Sequence, residues 1–269
     1  MLTFLYRTYA GRLILKILCK PILSKLAGRF LDTQVSCRLI PSFVRKNHID
    51  LTEFESDFSC FNDCFSRKIK PGFRPVCGDP HALVSPCDGL LSVYPVTDLT
   101  VLPVKQSRYS IPDLLQDKEL AAQFADGFCL VFRLCVNHYH RYCYFDDGIK
   151  GKNVKIDGIL HTVRPVALYA YPVFVQNSRE YTVIETAHFG RAVQMEVGAL
   201  LVGKIENYHG AGACRRGEEK GRFLYGGSTI IVLLKKNSVR FEEKVAGSIG
   251  TGVEQPVRMG ERIGFSDYP

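Results

Sequence analysis

The segment GGSTIIVLL, residues 226–234, carries a strong strand signal. Every residue from Thr229 to Leu234 is β-branched or apolar, and the run directly follows two glycines. Apolar runs of this length that are bounded by turn residues are typical of strands. The segment therefore predicts a strand that begins at Ser228, immediately after a turn.

Similar short runs, broken by Gly, Pro and Asn, recur from Leu83 onward. They predict further strands at LLSVYPV (90–96), GFCLVFRLCV (127–136), ALYAYPVFV (167–175), YTVIETA (181–187) and AVQMEVGALLVGKI (192–205). One helix is expected at residues 111–124, with Pro112 in its first turn. Residues 31–80 are interpreted as a helical connection, with Asp50 as the N-cap of a helix over 51–58. A helical N-terminal arm followed by a β-rich body predicts an α+β fold.

The first thirty residues form a basic, apolar segment without a single acid before Asp32. No uncharged stretch reaches the roughly 18–20 residues that span a bilayer, and Pro21 is expected to divide the segment into two helices. The basic residues recur every four or five positions, which places them along one side of a helix: Arg7, Arg12, Lys16, Lys20, Lys25 and Arg29. This pattern favours a helix lying on an anionic membrane surface. An amphipathic helix packed on its own domain is the alternative.

The composition narrows the class of protein further. The chain has 269 residues and a net charge of +8, which suits an anionic partner. The excess charge lies in the arm and no nucleic-acid module is recognisable, so a nucleic-acid partner is not expected. Ten cysteines, several among apolar residues, together with no recognisable secretory signal, favour a reducing, cytoplasmic setting over a disulfide framework. Cys60 and Cys64 lack a matching pair at zinc-finger spacing, so no metal site is expected.

Four segments carry a family resemblance when they are taken together and in order. They are FNDCFSRKIKPGFRPV (61–76), SPCDG (85–89), YHRY (139–142) with FDDG (145–148), and RGEEKGRFLYGGST (216–229). A single short polar motif of this kind recurs by chance, but the ordered set is specific. The chain in this way resembles the phosphatidylserine decarboxylase proenzymes.

The resemblance implies a division into a membrane-docking helical region, residues 1–60, and a β-rich decarboxylase domain, residues 61–269. It also implies self-cleavage between Gly227 and Ser228, which yields a β chain (1–227) and an α chain (228–269). Ser228 would become a covalent pyruvoyl cofactor, and the substrate would be phosphatidylserine. A peripheral location on the cytoplasmic face of the cell membrane and a possible homodimer follow as expectations.

The residues themselves suit this chemistry. Removing a carboxylate from an α-amino acid headgroup leaves electrons on Cα, and cofactors usually supply the electron sink. The Ser228 hydroxyl must attack the carbonyl of Gly227, and glycines on the acyl side allow the strained backbone that the attack needs. A serine hydroxyl also needs a base, for which His140 is the candidate, with Asp88 orienting the imidazole. Taken singly, each of these residues also fits a purely structural role, as a turn, a hairpin or a hydrogen-bonded histidine.

Two positions depart from the family pattern. Cys143 stands where the family commonly has a second histidine that takes part in self-cleavage, and His138 stands where an aspartate is frequent. Three accounts follow: His140 or His138 is the base, Cys143 acts as a thiolate base, or self-cleavage has been lost. A thiol with an ordinary pKa near 8.5 is a poor base at neutral pH, and the Gly-Ser-Thr motif is intact, so we favour His140.

Two other functions compete with the decarboxylase. A non-cleaving, lipid-binding relative with the same fold is the alternative, and Cys143 is the residue that supports it. A Ser-His-Asp hydrolase is disfavoured, because no G-x-S-x-G motif surrounds Ser228 and a strand rather than a helix follows it.

Overall fold

The computed structural model describes residues 2–19, 21–104, 107–162, 165–168, 172–199, 204–224 and 228–267. The helices are α1 (Leu2–Arg7), α2 (Tyr9–Leu18), α3 (Pro21–Leu31), a 3-10 helix (Gln34–Leu39), α4 (Ile40–Lys46), α5 (Phe61–Phe65), α6 (Ile111–Leu115), α7 (Lys118–Ala122), α8 (Pro165–Leu168), α9 (Val173–Gln176) and α10 (Glu243–Ala246). The first nine strands are β1 (Ala82–Val84), β2 (Gly89–Thr97), β3 (Thr100–Val104), β4 (Ser107–Ser110), β5 (Phe128–Leu134), β6 (Arg141–Cys143), β7 (Gly148–Lys150), β8 (Val154–Ile156) and β9 (Arg179–Thr186). The others are β10 (Arg191–Val197), β11 (Ile205–Asn207), β12 (Gly212–Cys214), β13 (Glu219–Phe223), β14 (Ser228–Leu234), β15 (Val239–Phe241), β16 (Gln255–Val257) and β17 (Arg262–Ser266). The α+β prediction is confirmed.

One large antiparallel sheet forms the centre of the body. Its strands run in the order β12-β7-β9-β10-β14-β5-β2-β3-β4, with β16 paired to β2 and β8 paired to β9. All seven residues of β14 are buried, because β10 and β5 flank the strand along its length. The strand predicted at 228–234 is confirmed at both ends.

The sheet register brings Ser228 and the Asp88-Gly89 pair to the same end of the sheet. Ser228 lies opposite Leu134 of β5, and on the other side of β5 Leu90 lies opposite Arg133. Gly89 therefore lies beside Leu134, two strands from Ser228. Neighbouring strands are about 4.8 Å apart, so these two backbones are separated by roughly 10 Å.

The N-terminal arm packs on the body with part of its apolar surface. Four side chains of α1 and α2 and of the turn that follows join the main hydrophobic core: Leu5, Tyr6, Leu15 and Cys19. Gly11 allows α2 to approach α1, since a Cβ there would lie only 2.1 Å from the Phe4 carbonyl oxygen. Pro21 begins α3, as its fixed φ and missing N–H predict. The division of the chain at residue 60 stays a prediction.

The helices of the described ranges are all too short or too polar to cross a lipid bilayer.

Two predicted elements are wrong. Residues 51–58 form no helix, because the Asp50 carboxylate accepts the backbone N–H of Thr52 in a local turn, and Phe54 makes a bridge with Ile69 instead. The predicted strand at 167–175 is replaced by the ends of α8 and α9, and residues 169–171 lie outside the described residues. Pro165 begins α8 and Pro172 directly precedes α9, and both positions suit the fixed φ of proline.

Two other elements differ in extent. The predicted helix at 111–124 is two helices, α6 and α7, separated at Gln116, whose φ is +53°. The run at 192–205 is strand β10 as far as Val197 and resumes as β11 at Ile205, with residues 200–203 outside the described part.

Candidate active site

Ser228 and Asp88 lie where β14, β5 and β2 begin or end together. Beyond Leu134, the backbone N–H of His138 donates to the Cys135 carbonyl, and this turn leads to His140. The Ser228 side chain is fully buried, and its Oγ has no hydrogen-bond partner among the described residues. Residues 225–227 lie outside the described residues, so the predicted cleavage site is seen only from its Ser228 side.

A main-chain carbonyl determines which nitrogen of His140 is basic. The imidazole is fully buried, packs 4.1 Å from the Phe65 ring centroid, and has its Nδ1 2.9 Å from the His138 carbonyl oxygen. A carbonyl can only accept, so Nδ1 carries the proton and Nε2 carries the lone pair. His140 therefore has the tautomer that a general base requires at Nε2.

His138 adopts the opposite tautomer. Its Nδ1 accepts the backbone N–H of Cys135 at 3.1 Å, which leaves the proton on Nε2. Burial lowers the pKa of His138, and the charge of Asp88 opposes that shift. In their neutral forms the two histidines therefore differ at Nε2, where His138 has a donor and His140 an acceptor.

Arg67 stabilises the turn that carries both histidines. Its Nη2 donates to the carbonyl oxygens of Asn137 at 2.9 Å and His138 at 3.2 Å, and its guanidinium lies 4.4 Å from the Phe54 ring centroid. Burial lowers the pKa of Arg67. Because one His138 carbonyl accepts from both Arg67 and His140, the arginine fixes the group that orients the base.

Asp88 is held by an arginine rather than by a histidine. Arg74 donates to the Asp88 carboxylate through Nε at 2.9 Å and Nη2 at 2.8 Å, and the Met259 backbone N–H adds a third bond at 2.8 Å. Arg74 also pairs with Glu53 at 2.7 Å, and the two acids raise its pKa against the effect of burial. The described partner that orients His140 is therefore the His138 carbonyl, and a catalytic role of Asp88 stays a prediction.

Sequence reasoning missed Arg74, although it lies in the Arg-Pro element of the first quoted segment. Its φ of +57° is unusual for a residue with a side chain, and such strain is common at functional sites. Arg141, which follows His140 in the YHRY motif, pairs with an acid. Its Nη1 lies 2.6 Å from Glu219 and its Nε donates to the Ser66 carbonyl.

Cys143 is poorly suited to act as a thiolate. Its side chain is fully buried, and burial raises the pKa of the thiol to about 12. Its weak Sγ contact is with the Ser85 carbonyl oxygen at 4.0 Å. The thiol is therefore neutral near pH 7, which argues against Cys143 as the base.

A fully buried ion pair supports this end of the sheet. Lys220 Nζ lies 2.6 Å from Glu196 Oε2 and 2.8 Å from Asn207 Oδ1. Glu196 lies on β10 opposite Ile230, two residues along β14 from Ser228. Neither charged side chain is exposed.

A cavity of about 490 Å³ opens beside Asp88 and His138. The residues of its wall include Arg67, Arg74, Asp88, Gly89 and His138. The volume lies within the roughly 300–1,000 Å³ of small-molecule sites. This end of the sheet thus combines the buried Ser228 with a polar cavity that contains Asp88.

Comparison with known proteins matches residues 61–265 to the family described as phosphatidylserine decarboxylase. A relative named phosphatidylserine decarboxylase proenzyme 2, from Clostridium acetobutylicum, is 40% identical over 265 residues, covering 98% of this chain and 91% of its own length. Phosphatidylserine decarboxylase proenzymes from Ruminiclostridium cellulolyticum and Clostridium botulinum are 40% and 38% identical, each over 98% of this chain and over 90% and 92% of their own lengths. A family match over most of the chain and relatives of this similarity along nearly all of it lead to one conclusion: the chain belongs to the phosphatidylserine decarboxylase family.

Proposed function

We propose that this protein is a carboxy-lyase that converts phosphatidylserine to phosphatidylethanolamine, using a pyruvoyl group made from its own Ser228. The observation that carries the proposal is the position of Ser228. It is the first residue of a fully buried central strand, its Oγ lacks a hydrogen-bond partner in the described part of the chain, and it begins at the same end of the sheet as the Asp88-Gly89 pair. Membership of a family whose relatives are named proenzymes is consistent with a cleavage step.

Self-cleavage begins with attack of the Ser228 Oγ on the carbonyl carbon of Gly227. The peptide C–N bond breaks, an ester forms in its place, and the amide nitrogen leaves as the amine of Ser228. His140 Nε2 takes the hydroxyl proton and returns a proton to that nitrogen. β-Elimination of the ester leaves dehydroalanine at residue 228, and hydrolysis gives pyruvoyl and ammonia.

The described residues fit a pyruvoyl group at position 228. Ser228 begins a strand that pairs with β5 and, from Thr229, with β10, so the new chain end is held on both sides after cleavage. Its surroundings are dry, which strengthens electrostatic interactions with a bound headgroup. The pyruvoyl carbonyl supplies the electron sink that decarboxylation needs. His138 then holds a proton at Nε2 in the wall of the cavity that contains Asp88, and His140 holds one at Nδ1.

We also propose that the arm docks the protein on the cytoplasmic face of the cell membrane. Besides the buried side chains of the arm, six large apolar side chains are substantially exposed: Phe4, Tyr9, Leu13, Ile14, Leu26 and Phe30. Exposed apolar clusters with basic neighbours and no acids suit an anionic lipid surface. One side of the arm packs on the body and another is open, which leaves the open side available for the proposed docking. A homodimer stays a prediction.

The alternative of a non-cleaving relative rested on Cys143. The neutral, buried thiol makes Cys143 a poor base, but the tautomer of His140 leaves Nε2 as another candidate base. No described observation favours loss of cleavage.

Intact mass under denaturing, reducing conditions tests the proposal. The purified protein is expected as two species, one ending at Gly227 and one beginning with a pyruvoyl group at residue 228, and it is expected to release CO2 from phosphatidylserine. Ser228→Ala is expected to remain one chain and to be inactive. A single uncut wild-type chain that persists in the presence of anionic vesicles contradicts the proposal.

A further inference from the structure

Two fully buried side chains of the central sheet each have an oxygen to which no described residue makes a hydrogen bond. One is Ser228, through Oγ, and the other is Glu196, through Oε1. Buried polar atoms are hydrogen-bonded in the great majority of cases, so each exception calls for an explanation. Self-cleavage uses the hydroxyl of Ser228, whereas Glu196 has no task in the steps described above.

The side chains of Ser228 and Glu196 lie on the same face of the sheet. Ile230 lies directly opposite Glu196, so these two side chains project to one face. Alternate residues of a strand share a face, which places Ser228, two positions before Ile230, on that face as well. Ser228 and Glu196 are therefore diagonal neighbours on adjacent strands, at a separation of roughly 7–8 Å that long side chains can bridge.

The backbone of Ser228 directs its Cα–H towards β10. The Gly198 N–H donates at 2.9 Å to the carbonyl of the residue that directly precedes β9. N–H groups alternate between the two sides of a strand, so Val197 directs its N–H to β14, and its partner Thr229 directs its own to β10. Ser228, one residue earlier, therefore bonds towards β5 and has its Cα–H on the β10 side. The Cα–H of Ser228 and the side chain of Glu196 thus border the same gap between β14 and β10.

One carboxylate oxygen of Glu196 is held and the other is open. Oε2 accepts from Lys220 Nζ at 2.6 Å and from Asn207 Nδ2 at 3.1 Å, whereas Oε1 has no partner among the residues that the structure describes. Burial raises the pKa of Glu196, and the charge of Lys220 opposes that shift. A carboxylate with a raised pKa takes up a proton more readily than an ordinary one. Glu196 thus has the properties of a general base, with Oε1 as the accepting atom.

The elimination step of self-cleavage requires a base. In the ester that links Gly227 to the oxygen of residue 228, the Cα–H bond of residue 228 breaks and its electrons form the Cα=Cβ double bond. The Cβ–O bond breaks at the same time, and the carboxylate of Gly227 leaves with that electron pair. The proton from Cα must pass to a group beside residue 228.

We propose that Glu196 is the base of this elimination, and that its Oε1 takes the proton from Cα of residue 228. Two residues then divide self-cleavage, because His140 serves the attack on Gly227 and Glu196 serves the loss of the Cα proton. The inference rests on the proposed self-cleavage and adds a further catalytic residue to it.

Neutral hydroxylamine distinguishes the two steps, because it cleaves an ester and leaves a peptide bond intact. Glu196→Gln is expected to slow elimination by about 10²–10⁴, the usual contribution of a general base. The folded variant is expected to remain full-length in buffer and to split in hydroxylamine. Intact mass is expected to show one fragment that ends in the hydroxamate of Gly227 and one that begins with an unmodified Ser228. His140→Gln, which is arrested before the ester forms, is expected to resist hydroxylamine.

Two further variants separate chemistry from folding. Lys220→Met combined with Glu196→Gln removes both buried charges, so it is expected to fold and again to split only in hydroxylamine. Glu180→Gln is the matched control, because Glu180 lies opposite Glu196 on β9, one strand farther from Ser228, and its Oε1 accepts from Asn207. This control is expected to form the pyruvoyl-ended chain at the wild-type rate.

Pyruvoyl formation in Glu196→Gln at the wild-type rate overturns the proposal. A folded double variant that resists hydroxylamine also overturns it, since the arrest then precedes the ester. Both results leave the self-cleaving wild type, and with it the proposed function, in place. A wild-type chain that stays uncut and resists hydroxylamine overturns the proposed function and the role of Glu196 together.

Discussion

The imidazole of His140 is oriented by the main chain of His138, whose carbonyl oxygen accepts its Nδ1–H at 2.9 Å. In many sites a carboxylate performs this task and also stabilises the imidazolium that forms. Here the same carbonyl also accepts from Arg67 at 3.2 Å, so a neutral main-chain group, held in place by an arginine, performs the orienting task of the carboxylate.

His140 is expected to be the residue on which self-cleavage most depends, after Ser228 itself. His140→Gln removes the lone pair at Nε2 while keeping a polar side chain of similar reach. The first-order rate of cleavage is expected to fall by about 10²–10⁴, the usual contribution of a general base. The rate is followed by denaturing electrophoresis of freshly translated protein, which separates the two chains. If His138→Gln stops cleavage and His140→Gln does not, the base is His138.

Two substitutions of Asp88 distinguish a structural role of this residue from a catalytic role. Asp88→Ala leaves the buried Arg74 with only Glu53 as an acidic partner, and breaking such a pair costs up to roughly 3–5 kcal/mol of unfolding free energy. Asp88→Asn keeps the shape and an acceptor oxygen, so it is expected to fold and to cleave at least about tenfold more slowly, because the carboxylate charge is gone. Urea unfolding gives the stability and electrophoresis gives the rate. Cleavage of Asp88→Asn at the wild-type rate means that Asp88 serves only to hold Arg74.

Cys143 is expected to be dispensable for chemistry. Cys143→Ala removes a thiol whose pKa is about 12, so no thiolate is lost at neutral pH and the cleavage rate is expected to stay within about threefold of wild type. The small void costs about 1 kcal/mol of stability. Cys129→Ala is a matched control, because that thiol is buried in β5 and its pKa is also about 12. A large loss of cleavage in Cys143→Ala alone assigns the thiol a role.

The buried pair of Lys220 and Glu196 is expected to be critical for folding. Lys220→Met leaves the Glu196 carboxylate buried without its cation, which costs about 3–5 kcal/mol of unfolding free energy. Adding Glu196→Gln removes the uncompensated charge and is expected to restore most of that loss. Urea denaturation of the single and double variants measures the coupling. Additive losses mean that the pair is not coupled.

Secondary structure was predicted correctly from the sequence where the apolar pattern of a segment was long, and incorrectly where it was short. The strand at 228–234 was predicted at both ends, since seven buried residues leave little ambiguity between strand and loop. The run at 167–175 failed because short apolar stretches do not distinguish a buried strand from helical turns, and Pro165 and Pro172 favoured the turns. Asp50 likewise matched a helix cap by residue type, and its carboxylate forms a turn with Thr52 instead.

The candidate site shows the same limit. Motif order predicts roles for Asp88, His140 and Ser228, and the register places Ser228 and Asp88 near one end of the sheet. The partners of those residues were not predictable, because they come from backbone atoms and from distant chain segments. The His138 carbonyl and the left-handed backbone of Arg74 have no signature in residue type.

Acid is expected to loosen the arm through His161. This imidazole is 5% exposed, accepts at Nδ1 from Tyr6 and Cys19, and has its pKa lowered by burial to about 4. An unfolded histidine has a pKa near 6.5, so between pH 6.5 and 4 the unfolded state binds a proton that the folded state does not. The stability that neutral His161 contributes is therefore complete above pH 6.5 and falls as the pH drops, by up to about 1.4 kcal/mol per pH unit. Limited proteolysis at pH 7.5 and pH 5.5 is expected to show faster cleavage within the arm at the lower pH. His161→Gln, which cannot take up that proton, is expected to reduce the difference, and an unchanged difference in that variant assigns the acid sensitivity to another group.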